Sequence, residues 1–247
     1  MVIEVKKTVL VTGASRGLGR STIIKFASNG YNIVINYNSS YKEAKELEEY
    51  ILNNYDSEVL TIKADISKEN EVKEMIDKII NKFGSIEVLV NNAGIAIDTM
   101  FEDKNVDNFK KILDTNLIGT FLVSKYVSNY MLKNKYGKII NISSTNGIDT
   151  YYPFSMDYDA SKAGVISLTH NLSKQLAPYI NVNCVCPGWI DTDMNKDLDD
   201  DFYKTEIEKI NLKRFAKPEE IANVVYFLAT DEASYVNNSI ITVDGGK

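Results

Sequence analysis

The chain has 247 residues, 44% of them hydrophobic and 25% charged, which is enough to bury one large core or two small ones. A formal net charge of −6 removes the basic face that a nucleic-acid partner requires, and no apolar run approaches the roughly 18 residues of a membrane span. With four prolines and no repeat or low-complexity tract, nothing marks a linker, so a single domain over residues 1–247 is expected.

From Met1 the chain passes through Glu4, Lys6 and Lys7 into an apolar run, a start unlike a secretory signal, and the expected compartment is the cytoplasm. Strands are expected at 9–12, 33–35, 59–64, 88–90, 138–142, 181–185 and 240–243. Their continuous Val, Ile and Leu runs suit strands covered on both faces. Helices fall between them, at 41–54, 68–83, 116–133, 158–177 and 218–228, and another follows the first strand. The clearest is 68–83, where Val72, Met75, Ile76, Ile79, Ile80 and Phe83 form one stripe before the stop at Gly84. This alternation predicts an α/β fold: a doubly wound, mostly parallel, seven-stranded sheet of Rossmann type.

No metal site is expected. Cys184 and Cys186 lie two apart on a strand and read as small buried hydrophobes, suited to neither a disulfide nor a zinc site. The run Asp197-Leu198-Asp199-Asp200-Asp201 reads as a solvated helix start, where carboxylates oppose the helix dipole.

The first strand runs into Thr12-Gly13-Ala14-Ser15-Arg16-Gly17-Leu18-Gly19 and then a helix. Glycines there let backbone N–H groups approach a pyrophosphate at the helix N-terminus, so a dinucleotide is expected. The second strand ends in Asn36-Tyr37-Asn38-Ser39-Ser40, with no carboxylate to hold a ribose 2′-hydroxyl. Arg16 can pair with a 2′-phosphate, with Asn38, Ser39 or Ser40 as hydrogen-bond donors. NADP(H) is therefore the expected cofactor, with NAD(H) as the alternative, and an Asp placed at Asn36 or Asn38 is expected to shift the preference toward NAD(H).

Tyr-x-x-x-Lys occurs twice, at Tyr41/Lys45 and Tyr158/Lys162. The first opens the helix after the second strand and reads as a surface pair. The second opens the helix after the fifth strand, past the crevice where open α/β sheets bind ligands. A phenol with a pKa of about 10 needs a nearby cation to move protons near neutrality. Lowering it by about 3 units takes roughly 4 kcal/mol, comparable to one unit charge at about 4 Å in an effective dielectric of 20.

Together with the glycine turn, an ordered set of motifs resembles the short-chain dehydrogenase/reductase family along essentially the whole chain. It comprises Asp65, Asn91-Asn92-Ala93-Gly94, Asn116, Ser143-Ser144, Tyr158/Lys162 and Pro187-Gly188. The resemblance implies an NADPH-dependent carbonyl reductase with Asn116, Ser144, Tyr158 and Lys162 as catalytic residues. Tyr158 would be the proton donor, and Ser144 would bond the substrate oxygen in preference to Ser143. Asn116 would fix a helix distortion and a water serving Lys162. It further implies cofactor contacts from Gly13, Ser15, Gly17, Leu18, Gly19, Asp65 and Ile66 at one end. Asn92, Ala93, Gly94, Tyr158, Lys162, Pro187, Gly188, Ile190 and Thr192 would serve the other.

Several stretches are most similar to bacterial reductases of 3-oxoacyl groups on acyl carrier protein, among them residues 187–194 and 214–222. The substrate implied is a small ketone or an acyl thioester, with acyl carrier protein as a candidate partner and a homotetramer as the assembly. Three features depart from that pattern: Ile97 where an arginine is common, a spacing of fourteen between Ser144 and Tyr158 where thirteen is common, and Asn237-Asn238 at the turn before the last strand. Lys133, Lys135 and Lys174 are the candidate basic contacts. His170, the single histidine, lies twelve residues past Tyr158 and is expected to pack or to contact another subunit.

Overall fold

The seven apolar runs form strands in the computed structural model, which describes residues 6–192 and 199–247. They are β1 (Thr8–Val11), β2 (Asn32–Tyr37), β3 (Val59–Lys63), β4 (Val88–Asn91), β5 (Gly137–Ile142), β6 (Ile180–Pro187) and β7 (Ile240–Val243). Their order across the sheet is β3-β2-β1-β4-β5-β6-β7, and every neighbouring pair is parallel. Among the described residues the sheet is thus wholly parallel, where the sequence supported only a mostly parallel one.

Continuous apolar runs are explained by the two layers they serve. Val9, Val11, Ile33, Ile35, Val88 and Val90 face one layer, which holds α1 (Gly17–Ala27), α2 (Tyr41–Asn54) and α8 (Pro218–Ala229). Leu10, Val34 and Leu89, the residues between them, face α3 (Glu69–Phe83) and α5 (Gly119–Asn134) on the other side. Both side-chain directions of a strand are therefore apolar.

One helix escapes the sequence pattern. The structure places α4 (Val106–Leu113) before the expected start at Asn116 and joins it to α5 through a π turn at Asp114–Ile118. Asn105 caps α4 by accepting a 2.9 Å bond from Asn108 N, a signal present in the sequence. Thr120 Oγ1 donates 2.8 Å to Asn116 O, a side chain entering the helix ladder where it widens. The remaining helices are α6 (Met156–Leu176), which starts two residues before Tyr158, and α7 (Asp200–Lys209).

Asp199 caps α7 through Oδ1, which accepts from Asp201 N and Phe202 N at 2.9 and 3.2 Å, so the described part of the acidic run is a helix start. Met1, Glu4, Met194, Asp197 and Leu198 lie outside the described residues. Cys184 and Cys186 are buried and free, their sulfurs 3.8 Å apart. Asn238 adopts the left-handed conformation (φ 61°) that the turn before β7 needs, and His170 Nδ1 sits 2.6 Å from its Oδ1. Among the described residues no helix is long and apolar enough to cross a membrane, and no cluster of three or more His, Cys, Asp or Glu is placed to hold a metal.

The strand order reverses beside β1, whose two neighbours are β2 and β4. Chains leaving the carboxyl ends of β1 and β4 therefore diverge to opposite faces and open a crevice between them.

Candidate active site

A cleft of about 1000 Å³ fills that crevice. Its floor is the turn after β1, where Gly13, Ser15, Arg16, Gly17, Leu18 and Gly19 all line it. Two glycines are dictated by contact. A Cβ on Gly13, at φ +60°, would lie 2.8 Å from Ala93 Cα, and one on Gly19 would lie 2.5 Å from Gly13 O. The turn can therefore lie against the segment after β4, with Asn92, Ala93 and Gly94 forming the opposite wall. Thr12 Oγ1 accepts from both Asn92 N and Ala93 N at 3.0 Å, and Asn92 Nδ2 returns bonds of 3.0 Å to Thr12 O and Gly13 O.

At one end of the cleft stand Arg16, Asn38, Ser39, Asp65 and Ile66. Arg16 is exposed and has no ion-pair or side-chain partner among the described residues. Asp65 Oδ1 accepts from Ser67 N and Ser67 Oγ at 3.0 and 2.7 Å, which fixes the carboxyl at the mouth. Asn36 is not at the surface. It is 2% exposed, its Oδ1 accepts from Gly13 N at 3.3 Å, and its Nδ2 donates to Ala64 O at 3.1 Å. It lines the cleft while bracing the glycine turn against the end of β3, so both ends of its amide are already engaged.

Ile190 and Thr192 border the cleft, Thr192 Cγ2 lying 3.5 Å from where a Gly17 Cβ would be. Pro187 and Gly188 do not border it. Pro187 pairs with Val243 at the sheet edge, and Gly188 packs against Asp244, where a Cβ would come within 2.9 Å of the aspartate's own.

The four expected catalytic residues gather past the Gly94 wall. Lys162 is 4% exposed, and its Nζ donates 2.9 Å to Ile142 O and lies 5.5 Å from the centre of the Tyr158 ring. A Cβ added to Gly94 would sit 3.4 Å from that Nζ and 3.5 Å from Asn116 Oδ1, which ties the set to the cleft. Asn116 clamps the backbone of Ile95, accepting from its N and donating to its O at 2.9 Å, and also donates to Ser161 Oγ at 3.0 Å. Of the two serines, Ser143 turns inward and donates to Lys162 O at 2.7 Å, whereas Ser144 Oγ accepts from Asn146 N at 3.2 Å and lies near enough to the Tyr158 phenol to pull its pKa down.

These residues suit a nicotinamide dinucleotide. Three glycines open the turn where a pyrophosphate would lie, an exposed arginine stands at one end, and the Tyr158 ring lies beside Lys162 beyond the wall.

Comparison with known proteins agrees. The family model described as Enoyl-(Acyl carrier protein) reductase matches residues 13–247. The chain belongs to the short-chain dehydrogenase/reductase family. It is similar to the 3-oxoacyl-[acyl-carrier-protein] reductase FabG of Staphylococcus epidermidis, 43% identical over 241 residues, covering 97% of this chain and 98% of that one. The FabG of Thermotoga maritima is 39% identical over 251 residues, with 97% of each chain covered. Levodione reductase superposes with a TM-score of 0.91 at 32% identity, over 97% of this chain and 96% of that one. A gluconate 5-dehydrogenase from Burkholderia cenocepacia, solved with NADP and tartrate, gives 0.90 at 29% identity, over 97% and 94%.

In this short-chain oxidoreductase the electrostatics differ from the sequence expectation. Burial pushes the Tyr158 phenol up to about 12, with Ser144 pulling it partly back and Asp159 and Asp98 adding to the rise. Burial also holds Lys162 down to about 8. The lysine is not the dominant influence on the phenol, because its ammonium is directed to Ile142 O and is itself desolvated. The other Tyr-x-x-x-Lys pair is a surface one: Tyr41 is 58% exposed and Lys45 pairs with Glu48. Asn36 and Thr12 brace the cofactor loop and were not singled out as braces from sequence. A polar residue in an apolar strand was the available signal for Asn36.

Proposed function

We propose that this oxidoreductase uses NADPH to reduce the ketone of a 3-oxoacyl thioester to a secondary alcohol, and that residues 1–247 form one catalytic domain. The carrying observation is the Tyr158 ring 5.5 Å from Lys162 Nζ, which itself lies 3.4 Å from where a Gly94 Cβ would be at the wall of the cleft. NADPH, when bound, supplies the hydride that reaches the carbonyl carbon.

The protein's own residues handle the oxygen. Ser144 donates a hydrogen bond to it, and Tyr158, protonated near neutrality, gives up its proton as negative charge develops there. Lys162 reaches the cofactor side of the wall, and Asn116 fixes that wall by its bonds to Ile95. Gly13 to Gly19 hold the pyrophosphate, Arg16 with Asn38 and Ser39 the 2′-phosphate, Asp65 and Ile66 the adenine side, and Asn92 to Gly94 the riboses. Two donors converging on one oxygen fit a ketone, which favours the chemistry in the FabG relatives' names over the enoyl reduction in the family description.

Acyl carrier protein is the proposed carrier, with exposed Lys133, Lys135 and Lys174 as its candidate contacts. Isoleucine at position 97 and solved neighbours named for levodione and gluconate support a second reading, a free cyclic or sugar ketone. The discriminating assay follows nicotinamide absorbance with NADPH and a 3-oxoacyl thioester, an enoyl thioester, a cyclic diketone or a keto-sugar. Fastest turnover of the 3-oxoacyl thioester is expected. Turnover of another ketone alone would move the substrate class, and no turnover with any would leave a cofactor-binding regulator.

The proposed assembly is a cytoplasmic homotetramer packed through α5 and α6. On α5, Leu122, Val123, Val127 and Met131 are buried toward the sheet, while Phe121 and Leu132 remain 40% and 37% exposed on the far side. That second apolar face supports a partner there. Light scattering at micromolar concentration should give four times the monomer mass, and a monomer would refute the interface.

A further inference from the structure

Lys104 lies in an exposed turn, yet its side chain is only 6% exposed and points inward. Its Nζ donates 2.7 Å to Ile97 O and 2.7 Å to Asp157 Oδ1, a carboxylate that is fully buried. The same Oδ1 accepts from Tyr158 N at 3.0 Å, while Asp157 Oδ2 is buried without a hydrogen-bond partner among the described residues. A buried carboxylate with one oxygen unsatisfied is a poor source of stability. Its placement, one residue before Tyr158, offers another role.

The cleft wall at Gly94, Ile95 and Ala96 is fastened to α6 at two points. One runs from Ile95 through Asn116 to Ser161, whose Oγ donates to Tyr158 O. The other runs from Ile97 through Lys104 to Asp157. Tyr158 stands between them. Thr99 N donating 3.1 Å to Phe154 O, and Ser155 Oγ bonded to Asp98, hold the intervening turns together.

We propose that Lys104 and Asp157 are positioning residues whose buried ion pair sets the first turn of α6, and with it the Tyr158 hydroxyl, against the wall that faces the nicotinamide. The proposal rests on Tyr158 being the proton donor. Without the pair, the fold and the phosphate end of the cleft remain, but the hydroxyl is no longer held at reacting distance.

The test is the double variant Lys104→Met/Asp157→Asn, which removes both charges and leaves neither uncompensated. The expected result is a melting temperature near wild type, NADPH affinity within about three-fold by fluorescence titration, and kcat lower by about 100-fold, the loss that a displacement near 1 Å brings. KM for the ketone should move far less than kcat. A folded double variant with kcat within about three-fold of wild type would overturn the proposal, because a purely structural pair would lose nothing once both charges were gone. Asp157→Asn alone keeps the shape and one acceptor, and so carries the same test if the double variant does not fold. It should lose about ten-fold in kcat at unchanged NADPH affinity, reflecting lost charge assistance, and an undiminished kcat would overturn the proposal. Tyr158→Phe run in parallel separates the two claims. If it keeps its turnover, the donor assignment fails; if it is inactive while both pair variants are fully active, only the positioning claim fails.

Discussion

Tyr158→Phe is expected to lower kcat by about 10²- to 10⁴-fold while NADPH binds almost as before. The proposed loss is of a proton donor, and the floor of the cleft is built from Gly13 to Gly19 on the other side of the Gly94 wall. Steady-state assay beside fluorescence titration of NADPH checks this. Retention of more than about a hundredth of wild-type turnover would remove the general-acid role.

The charge states bear on direction. With the phenol pushed up to about 12, Tyr158 carries its proton at any ordinary pH, which suits donation to a ketone. Alcohol oxidation would need the phenolate, and Lys162, 5.5 Å from the ring centre, is the cation placed to support it.

What could be read from the sequence was whatever depends on local pattern. Two-sided burial writes itself as unbroken Val, Ile and Leu runs, so the strands were legible, and glycines forced by contacts as close as Gly13 with Ala93 mark the cofactor turn plainly. The choice of Ser144 over Ser143 followed from motif position, and at the end of β5 Ser143 turns inward to Lys162 O. Features made by contacts between distant segments were not legible. The distortion at Asn116 was implied by the family resemblance, but the bonds that hold it, to Ile95 and Ser161, reach 21 and 45 positions away. Helix α4 is different: Val106, Phe109 and Leu113 fall at i, i+3, i+7 behind the Asn105 cap, so a local signal was present and only its shortness hid it. Lys104 and Asp157, 53 positions apart, look in sequence like two surface charges.

Cofactor choice turns on a similar distinction between a surface residue and a brace. Arg16→Ala should weaken NADPH by about 10- to 150-fold, the value of a charge-assisted bond of about 1.5–3 kcal/mol to the 2′-phosphate, and leave NADH nearly untouched. Arg16 is exposed and unpartnered among the described residues, so its loss should cost the fold little. Asn38→Asp should go further, since exposed Asn38 borders the cleft and a carboxylate there would repel the phosphate while offering an acceptor to a ribose hydroxyl. Asn36→Asp behaves differently. At 2% exposure, with Nδ2 given to Ala64 O, the position would set a carboxylate against a carbonyl oxygen and loosen the brace on Gly13. Both cofactors should then bind worse, with no change of preference. The deciding measurement is kcat/KM with NADPH and NADH for wild type and all three variants. Equal losses with both cofactors in Arg16→Ala would mean that the arginine shapes the turn and reads no phosphate, and a switch of preference in Asn36→Asp would mean that its side chain faces the ribose after all.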